Sequence, residues 1–367
     1  MRVIGIAGTA KNTGKTTTTA ALIEQTGRAG KALGLTSIGY DGEETDNVTG
    51  LPKPRLLLPV GTVVAIAEKC LATGSAKIQV LKRLGISTPL GEIIVGRVAA
   101  EGLVVIAGPN KAHQLAEVLE QLKALRPDLI LVDGALNRLA PMVETEGLIL
   151  ATGAARTHDP DRLFRETLDL CEVFQWPVLK TQLVARLLAA RKQPDSDWAI
   201  SVLDEAGKVQ MLEGKSLLAG QQVESLLGLV SPRAKAILIP GIVSYSCLKQ
   251  LIDGLLSQPV RPSLVFADPI KLVVSQDFFA IKIVLDRWRE EGGSLALLNS
   301  LPLLMVTLNP FYPAYCDSTR SYTAAFIDGD MLREKLSRRL RVRVVDVKKP
   351  EAQKILQELL EMLEVRC

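Results

Sequence analysis

The stretch Arg2-Val3-Ile4-Gly5-Ile6-Ala7-Gly8-Thr9-Ala10-Lys11-Asn12-Thr13-Gly14-Lys15-Thr16-Thr17 decides how this chain folds. An apolar run of strand length passes into a loop of small residues, and Gly-Lys-Thr then opens a helix. A loop built this way turns its backbone N–H groups inward around phosphate oxygens, and the helix N-terminus adds partial positive charge. On this reading Gly8, Thr9, Lys11, Asn12, Thr13, Gly14, Lys15, Thr16 and Thr17 line a cradle for a nucleoside triphosphate. Lys15 reaches the β- and γ-phosphates as a mobile point charge, and the Thr16 hydroxyl coordinates Mg2+. Gly14 is required because a Cβ there would collide with the phosphate chain.

Spacing refines the reading. The common form of the motif sets four residues between its glycines, which would demand glycine at position 9. Thr9 stands there, and Gly8 and Gly14 enclose five residues. The longer Gly-Thr-x-x-x-x-Gly-Lys-Thr form resembles dethiobiotin synthetase and the cobyric and cobyrinic acid amide synthetases. That resemblance implies the SIMIBI class of P-loop proteins rather than kinases or Ras-like GTPases.

The 367 residues are enough for two ordinary domains with full cores. An apolar content of 47% with 23% charged residues excludes a disordered chain. A net charge of +4 creates no field that calls for nucleic acid or an acidic membrane. Five scattered cysteines, with no Cys-x-x-Cys pair, fit a reducing compartment and argue against a disulfide framework or a structural zinc. No targeting segment is visible and no uncharged apolar stretch is long enough to span a membrane, so a soluble cytoplasmic protein is expected.

Along the first half, strand-like and helix-like segments alternate, which predicts an α/β fold with a mostly parallel sheet. Strands are expected over 3–7, 34–40, 103–107, 129–132, 148–151 and 178–184. Helices fit 15–26, 62–73, 111–125 and 159–174, the third with Asn110 as its start signal and Arg126-Pro127 as its stop. Residues 78–81 and 92–98 read as extra strands inserted before the third core strand. The polar stretch 191–197 marks a boundary, giving a P-loop nucleotide-binding domain over 1–190 and a smaller α/β recognition domain over 191–367. In the latter, 198–203 and 208–212 form a hairpin. Strands follow over 236–239, 263–267, 303–308 and 342–347, and a terminal helix over 351–363.

Candidate chemistry gathers at the ends of predicted strands. Asp133, closing Leu129-Ile-Leu-Val-Asp133, stands where such a fold places a carboxylate facing Mg2+; a turn-capping role is the plain alternative. Asp41, Glu43, Glu44 and Asp46 follow the second strand. SIMIBI proteins keep a water-activating or Mg2+-binding carboxylate in this region, so Asp41 and Glu43 lead as catalytic acids and Asp41 as a metal ligand; a solvated acidic loop reads the same way. Thr152-Gly-Ala-Ala155 would let backbone approach the nucleotide. Asn110-Lys111-Ala-His113 lacks the acid that guanine recognition needs. His158 precedes Asp159 at a helix start, where capping explains the segment. Arg333, Lys335, Arg338, Arg339, Arg341 and Arg343 have no interleaved aromatics and read as a solvated helix face or a docking surface for an acidic partner. Asn309-Pro-Phe-Tyr-Pro313 is an aromatic loop that either binds something or seals a core.

Several segments resemble the nucleotide-binding subunit of the reactivating factor for adenosylcobalamin-dependent lysine 5,6-aminomutase. They are the 8–16 loop, Thr36-Ser-Ile-Gly-Tyr-Asp-Gly-Glu43, Lys53-Pro54, Thr88-Pro-Leu-Gly91 and Val132-Asp-Gly-Ala-Leu-Asn-Arg138. The resemblance covers most of the first 190 residues. It implies ATP or GTP with Mg2+ as cofactors, and an NTP-driven exchange of damaged cobalamin carried out with a MutS-like second subunit and the aminomutase. Lys11 lies one position away from the lysine that dimeric ParA/MinD relatives insert across their interface, a departure that speaks against its acting in trans; a homodimer is still among the arrangements the resemblance implies. Two other readings stand beside this one. One is a carboxylate ligase of the dethiobiotin or corrin-amidating type, without a glutaminase because no histidine follows His158. The other is a nucleotide sensor that does not hydrolyse.

Overall fold

A computed structural model of the chain describes residues 2–39, 56–135, 139–179, 182, 199–275, 277–317, 320–350, 352–354, 357–359 and 361. The chain divides into two units, Met1–Leu168 with Pro302–Cys367, and Asp169–Leu301. This differs from a boundary at 190: the second unit is an insertion, and the last 66 or so residues return to the first.

The chain begins with strand β1 (Arg2–Gly8) and helix α1 (Lys15–Arg28), followed by β2 (Leu33–Ser37), β3 (Leu56–Leu58) and β4 (Val63–Ala67). A 3-10 turn, Glu68–Ala72, leads into the long hairpin β5 (Lys77–Thr88) and β6 (Gly91–Ala100). Then come β7 (Gly102–Val104), α2 (Ala112–Ala124), β8 (Leu129–Ala135), β9 (Gly147–Gly153) and α3 (Pro160–Val173). The division into units falls within α3.

Asp169–Leu301 carries β10 (Ile200–Asp204), β11 (Val209–Leu212), α4 (Gly220–Leu229), β12 (Ala234–Ile239), α5 (Tyr245–Leu256), β13 (Ser263–Phe266), α6 (Pro269–Val273), α7 (Phe278–Glu290) and β14 (Ser294–Leu297). Its strands run β11-β10-β12-β13-β14 among the described residues, with β12, β13 and β14 parallel and β10–β11 the expected hairpin. Lys282 of α7 is held inside this unit, its side chain 3% exposed, by Asp286 at 2.7 Å and Glu172 at 2.9 Å. Burial alone would lower its pKa; the two carboxylates outweigh it and hold the ammonium above its ordinary range.

The chain then re-enters the first unit with β15 (Leu303–Asn309), the hairpin β16 (Phe311–Cys316) and β17 (Ser321–Phe326), α8 (Gly329–Arg339) and β18 (Arg343–Val345). Residues 352–354, 357–359 and 361 are helical, as expected for the terminal segment. Among the described residues the main sheet has nine strands in the order β18-β15-β9-β1-β8-β2-β4-β6-β5. The run from β18 to β4 is parallel; β6 pairs antiparallel both with β4 and with its hairpin partner β5. The mostly parallel α/β sheet expected from the alternation is therefore present. Strands β2, β4 and β9 are buried at every position, as strands covered on both faces must be. On α2, Leu115, Val118, Leu119 and Leu122 repeat at helical spacing and form its buried face.

Two segments depart from expectation. Residues 62–73 form strand β4 and a 3-10 turn, not a helix. Val63, Val64 and Ile66 are β-branched, and a short run of this kind can be read with either period. With that core slot taken, 103–107 is displaced: β7 pairs antiparallel with β3 in a small side sheet. The β5–β6 hairpin is the predicted pair of inserted strands, now placed at the sheet edge. The 191–197 boundary stretch and most of 178–184 lie outside the described residues; Val178 forms a parallel bridge to Leu297.

Candidate functional site

Five parallel strands bring their carboxyl ends to one edge. The pairing sets Gly8 beside Ala135 and Ala151, Thr307 beside Ala151 and Val345, and Asn309 beside Gly153. β8 lies on one side of β1 and β9 on the other, so the strand order reverses at β1. Crevices at such reversals are where open α/β sheets hold ligands.

The 8–16 loop leaves β1 at this edge. Asn12 and Gly14 both take positive φ, 62° and 91°, and these two turns fold the loop back onto the start of α1. Gly14 is the N-cap and offers no side chain to the helix. The helical ladder begins with Thr18 N donating to Gly14 O at 2.9 Å. The amides of Lys15, Thr16 and Thr17 precede the first acceptor that the helix itself provides, as the first N–H groups of any helix do. A Cβ on Gly14 would lie 3.0 Å from Asn309 Cβ and sit in the left-handed region. Gly14→Ala is expected to cost about 1–2 kcal/mol of stability and to abolish triphosphate binding, read as a lower Tm together with a flat titration.

Around the loop the hydrogen bonds are specific. Thr9 N donates to Ala151 O at 2.9 Å, and its hydroxyl to Thr152 Oγ1 at 3.3 Å. The Thr13 hydroxyl donates to Ala10 O at 2.9 Å. Asn309 Nδ2 donates to Asn12 O at 2.9 Å, and Arg156 Nη1 to Thr9 O at 2.8 Å. Thr18 and Thr307 share a buried hydroxyl contact of 2.8 Å that fixes α1 against β15. Lys15 Nζ donates to Asp133 Oδ2 at 2.8 Å, with the side chains only 11% and 4% exposed. The strand-end carboxylate and the loop lysine predicted from sequence are thus brought together. A small recess of about 10 Å3, room for roughly one water, adjoins the loop and is lined by Gly14, Thr17, Thr18, Asn309, Asp346 and Lys348 among others.

The helix-start amides and the Lys15 ammonium suit phosphate oxyanions, whereas the Thr16 hydroxyl and the Asp133 carboxylate supply hard oxygens for a cation. Together these groups fit a Mg2+-triphosphate, which needs few protein ligands because Mg2+ keeps several waters. Among the described residues no three His, Cys, Asp or Glu side chains converge on one point. Burial pushes the Cys70 thiol up to about 11 and the Cys171 thiol up to about 12, which leaves both as poor nucleophiles at neutral pH.

Asp41, Glu43, Glu44 and Asp46 lie outside the described residues. Lys11 is exposed. Thr152 to Ala154 does border the loop: Ala154 N donates to Asn309 O at 2.9 Å, and a Cβ on Gly153 would meet that same oxygen at 2.3 Å. Lys111, not Asn110, is the N-cap of α2. Asp159 caps α3 by accepting from Asp161 N at 3.0 Å, and His158 stacks on Tyr312 at 5.4 Å. The C-terminal basic stretch is largely ion-paired along and beside α8, with Lys335–Asp161 at 3.2 Å, Arg333–Asp330 at 3.5 Å and Arg343–Glu358 at 2.8 Å. Asn309, Arg156, Thr307 and Asp346 were not candidates by sequence. In the sequence Asn309 reads only as the start of an aromatic loop, because β15 follows an insertion and its neighbours in the sheet cannot be read locally.

No protein-family model matches this chain, and no curated protein matches it. No helix among the described residues is long and apolar enough to cross a membrane.

Proposed function

We propose that this chain binds a magnesium nucleoside triphosphate in the 8–16 loop and hydrolyses it to drive a change in a protein partner. The observation that carries the reading is the 2.8 Å Lys15–Asp133 pair. A loop lysine at the head of a helix and a carboxylate at the end of the adjoining strand are the two side chains a P-loop needs in contact with the phosphates and the metal. Thr16 and Asp133 would hold Mg2+, and the helix-start amides with Lys15 would hold the phosphate oxygens. When bound, the ion neutralises charge on the β- and γ-phosphates in a loose transition state. An acid at Asp41 or Glu43 is the proposed water-orienting group.

The finer reading is a reactivating ATPase, or GTPase, of an adenosylcobalamin-dependent aminomutase, working in the cytoplasm with a MutS-like second subunit. It is supported by the sequence segments that resemble that family. The test is hydrolysis of ATP and GTP by wild type and Lys15→Ala, with and without inactivated aminomutase and the second subunit. Turnover stimulated by the mutase, with recovery of mutase activity, is the expected result. Lys15-dependent turnover indifferent to the mutase would discard the partner, and ADP release requiring a small carboxylic acid would make the chain a ligase.

A further inference from the structure

We infer that Arg156 is a positioning residue that presets the phosphate loop, an inference that rests on the nucleotide reading above. Arg156 lies in the connection between β9 and α3. Its guanidinium is held at two points: Nη1 donates to Thr9 O at 2.8 Å, and Nε to Glu166 Oε2 at 2.6 Å. The other oxygen of Glu166 accepts from Arg162 Nε at 2.8 Å. The Arg156 and Glu166 side chains are 18% and 11% exposed, whereas Arg162 is 64% exposed. The inner pair is therefore largely desolvated, and the outer arginine braces it from solvent. A planar fork held this way has little rotational freedom left and defines the direction of each bond it makes.

The group it holds is the first residue of the loop. Thr9 is fixed on three sides, by Ala151 O on its amide, Thr152 Oγ1 on its hydroxyl and Arg156 on its carbonyl. A peptide unit is planar and trans, so anchoring the Thr9 carbonyl also fixes the direction of the Ala10 N–H, on the opposite side of the same plane. The next carbonyls along the loop are likewise engaged: Ala10 O by the Thr13 hydroxyl and Asn12 O by Asn309. With the Thr9, Ala10 and Asn12 carbonyls tied, the peptide planes they belong to keep their amide directions before any ligand arrives. Preorganisation of this kind lowers the ordering cost of binding. It acts on ground state and transition state alike, which appears in KM rather than kcat.

The experiment compares wild type, Arg156→Ala, Arg156→Lys, Glu166→Gln and Lys15→Ala. Mg-ATP and Mg-GTP affinity is read by calorimetry, turnover by phosphate release and stability by Tm. Arg156→Ala is expected to raise Kd and KM about tenfold or more, with kcat within about threefold of wild type. Arg156→Lys, which retains one charged donor for Thr9 O, should recover most of that loss. Unchanged Kd and KM in a folded Arg156→Ala, with only Tm lowered, would reduce Arg156 to a tie between elements and overturn the inference. Should Arg156→Ala not fold, Glu166→Gln decides: a raised KM supports the inference and an unchanged one overturns it. Wild type that binds neither nucleotide would instead overturn the underlying reading.

Discussion

Lys15→Ala is expected to weaken Mg-triphosphate binding by roughly a hundredfold and to lower turnover by about three orders of magnitude. The first figure corresponds to about 2.7 kcal/mol, the scale of one or two charge-assisted hydrogen bonds to phosphate oxygens. The second adds the charge that develops during phosphoryl transfer, which a fixed ammonium stabilises more than it stabilises the ground state. A loop lysine supporting no core would be removable without structural cost, but here Lys15 pairs with an Asp133 side chain that is 4% exposed. Taking the cation away leaves that carboxylate desolvated, at a cost of about 1–3 kcal/mol in stability. The double variant Lys15→Ala/Asp133→Asn separates the effects. It should regain most of the lost Tm and none of the lost binding. Wild-type turnover in Lys15→Ala would remove the 8–16 loop from the chemistry altogether.

What the sequence made legible was local. Ile4 and Ile6 on β1, the Gly14-Lys15-Thr16 helix start and Asp133 at the end of β8 each follow from a short pattern, and all lie in one unit at one sheet edge. The apolar run at 62–73 failed because Val63 to Ala67 is too short for period alone to separate strand from helix. The greater gap was topological. Thr307 and Asn309 stand next to the loop, yet the insertion Asp169–Leu301 separates them from it in the chain. A strand pattern announces that a strand exists, not which neighbour it takes, so residues 302–367 read as part of a second domain. Arg156 was hidden for a related reason: its meaning lies in a carbonyl 147 positions away.

Asp133→Asn tests the metal side of the same ion pair and is expected to remove most of the dependence of binding on Mg2+. Lys15 Nζ pairs with Asp133 Oδ2 at 2.8 Å, while the buried Asp133 Oδ1 has no hydrogen-bond partner among the described residues. A triphosphate must draw Lys15 away, and the carboxylate left behind then repels the incoming anion unless a divalent cation lies between them. Wild type should therefore bind ATP far more weakly in EDTA than with Mg2+. The asparagine variant keeps the shape of the side chain, removes the repulsion and releases Lys15 from its strongest competitor. Its affinity for metal-free ATP should rise by about tenfold, the scale of one charge-assisted contact. With Mg2+ the gain disappears, because the hard oxygen anion that held the ion's water shell is gone. Turnover should fall by about a hundredfold or more. Calorimetric titration of both proteins with ATP, in EDTA and in Mg2+, gives the four affinities. Asp133→Asn that keeps the wild-type enhancement by Mg2+ would show that Asp133 only partners Lys15, and the metal would then have to be held by Thr16 with an acid such as Asp41.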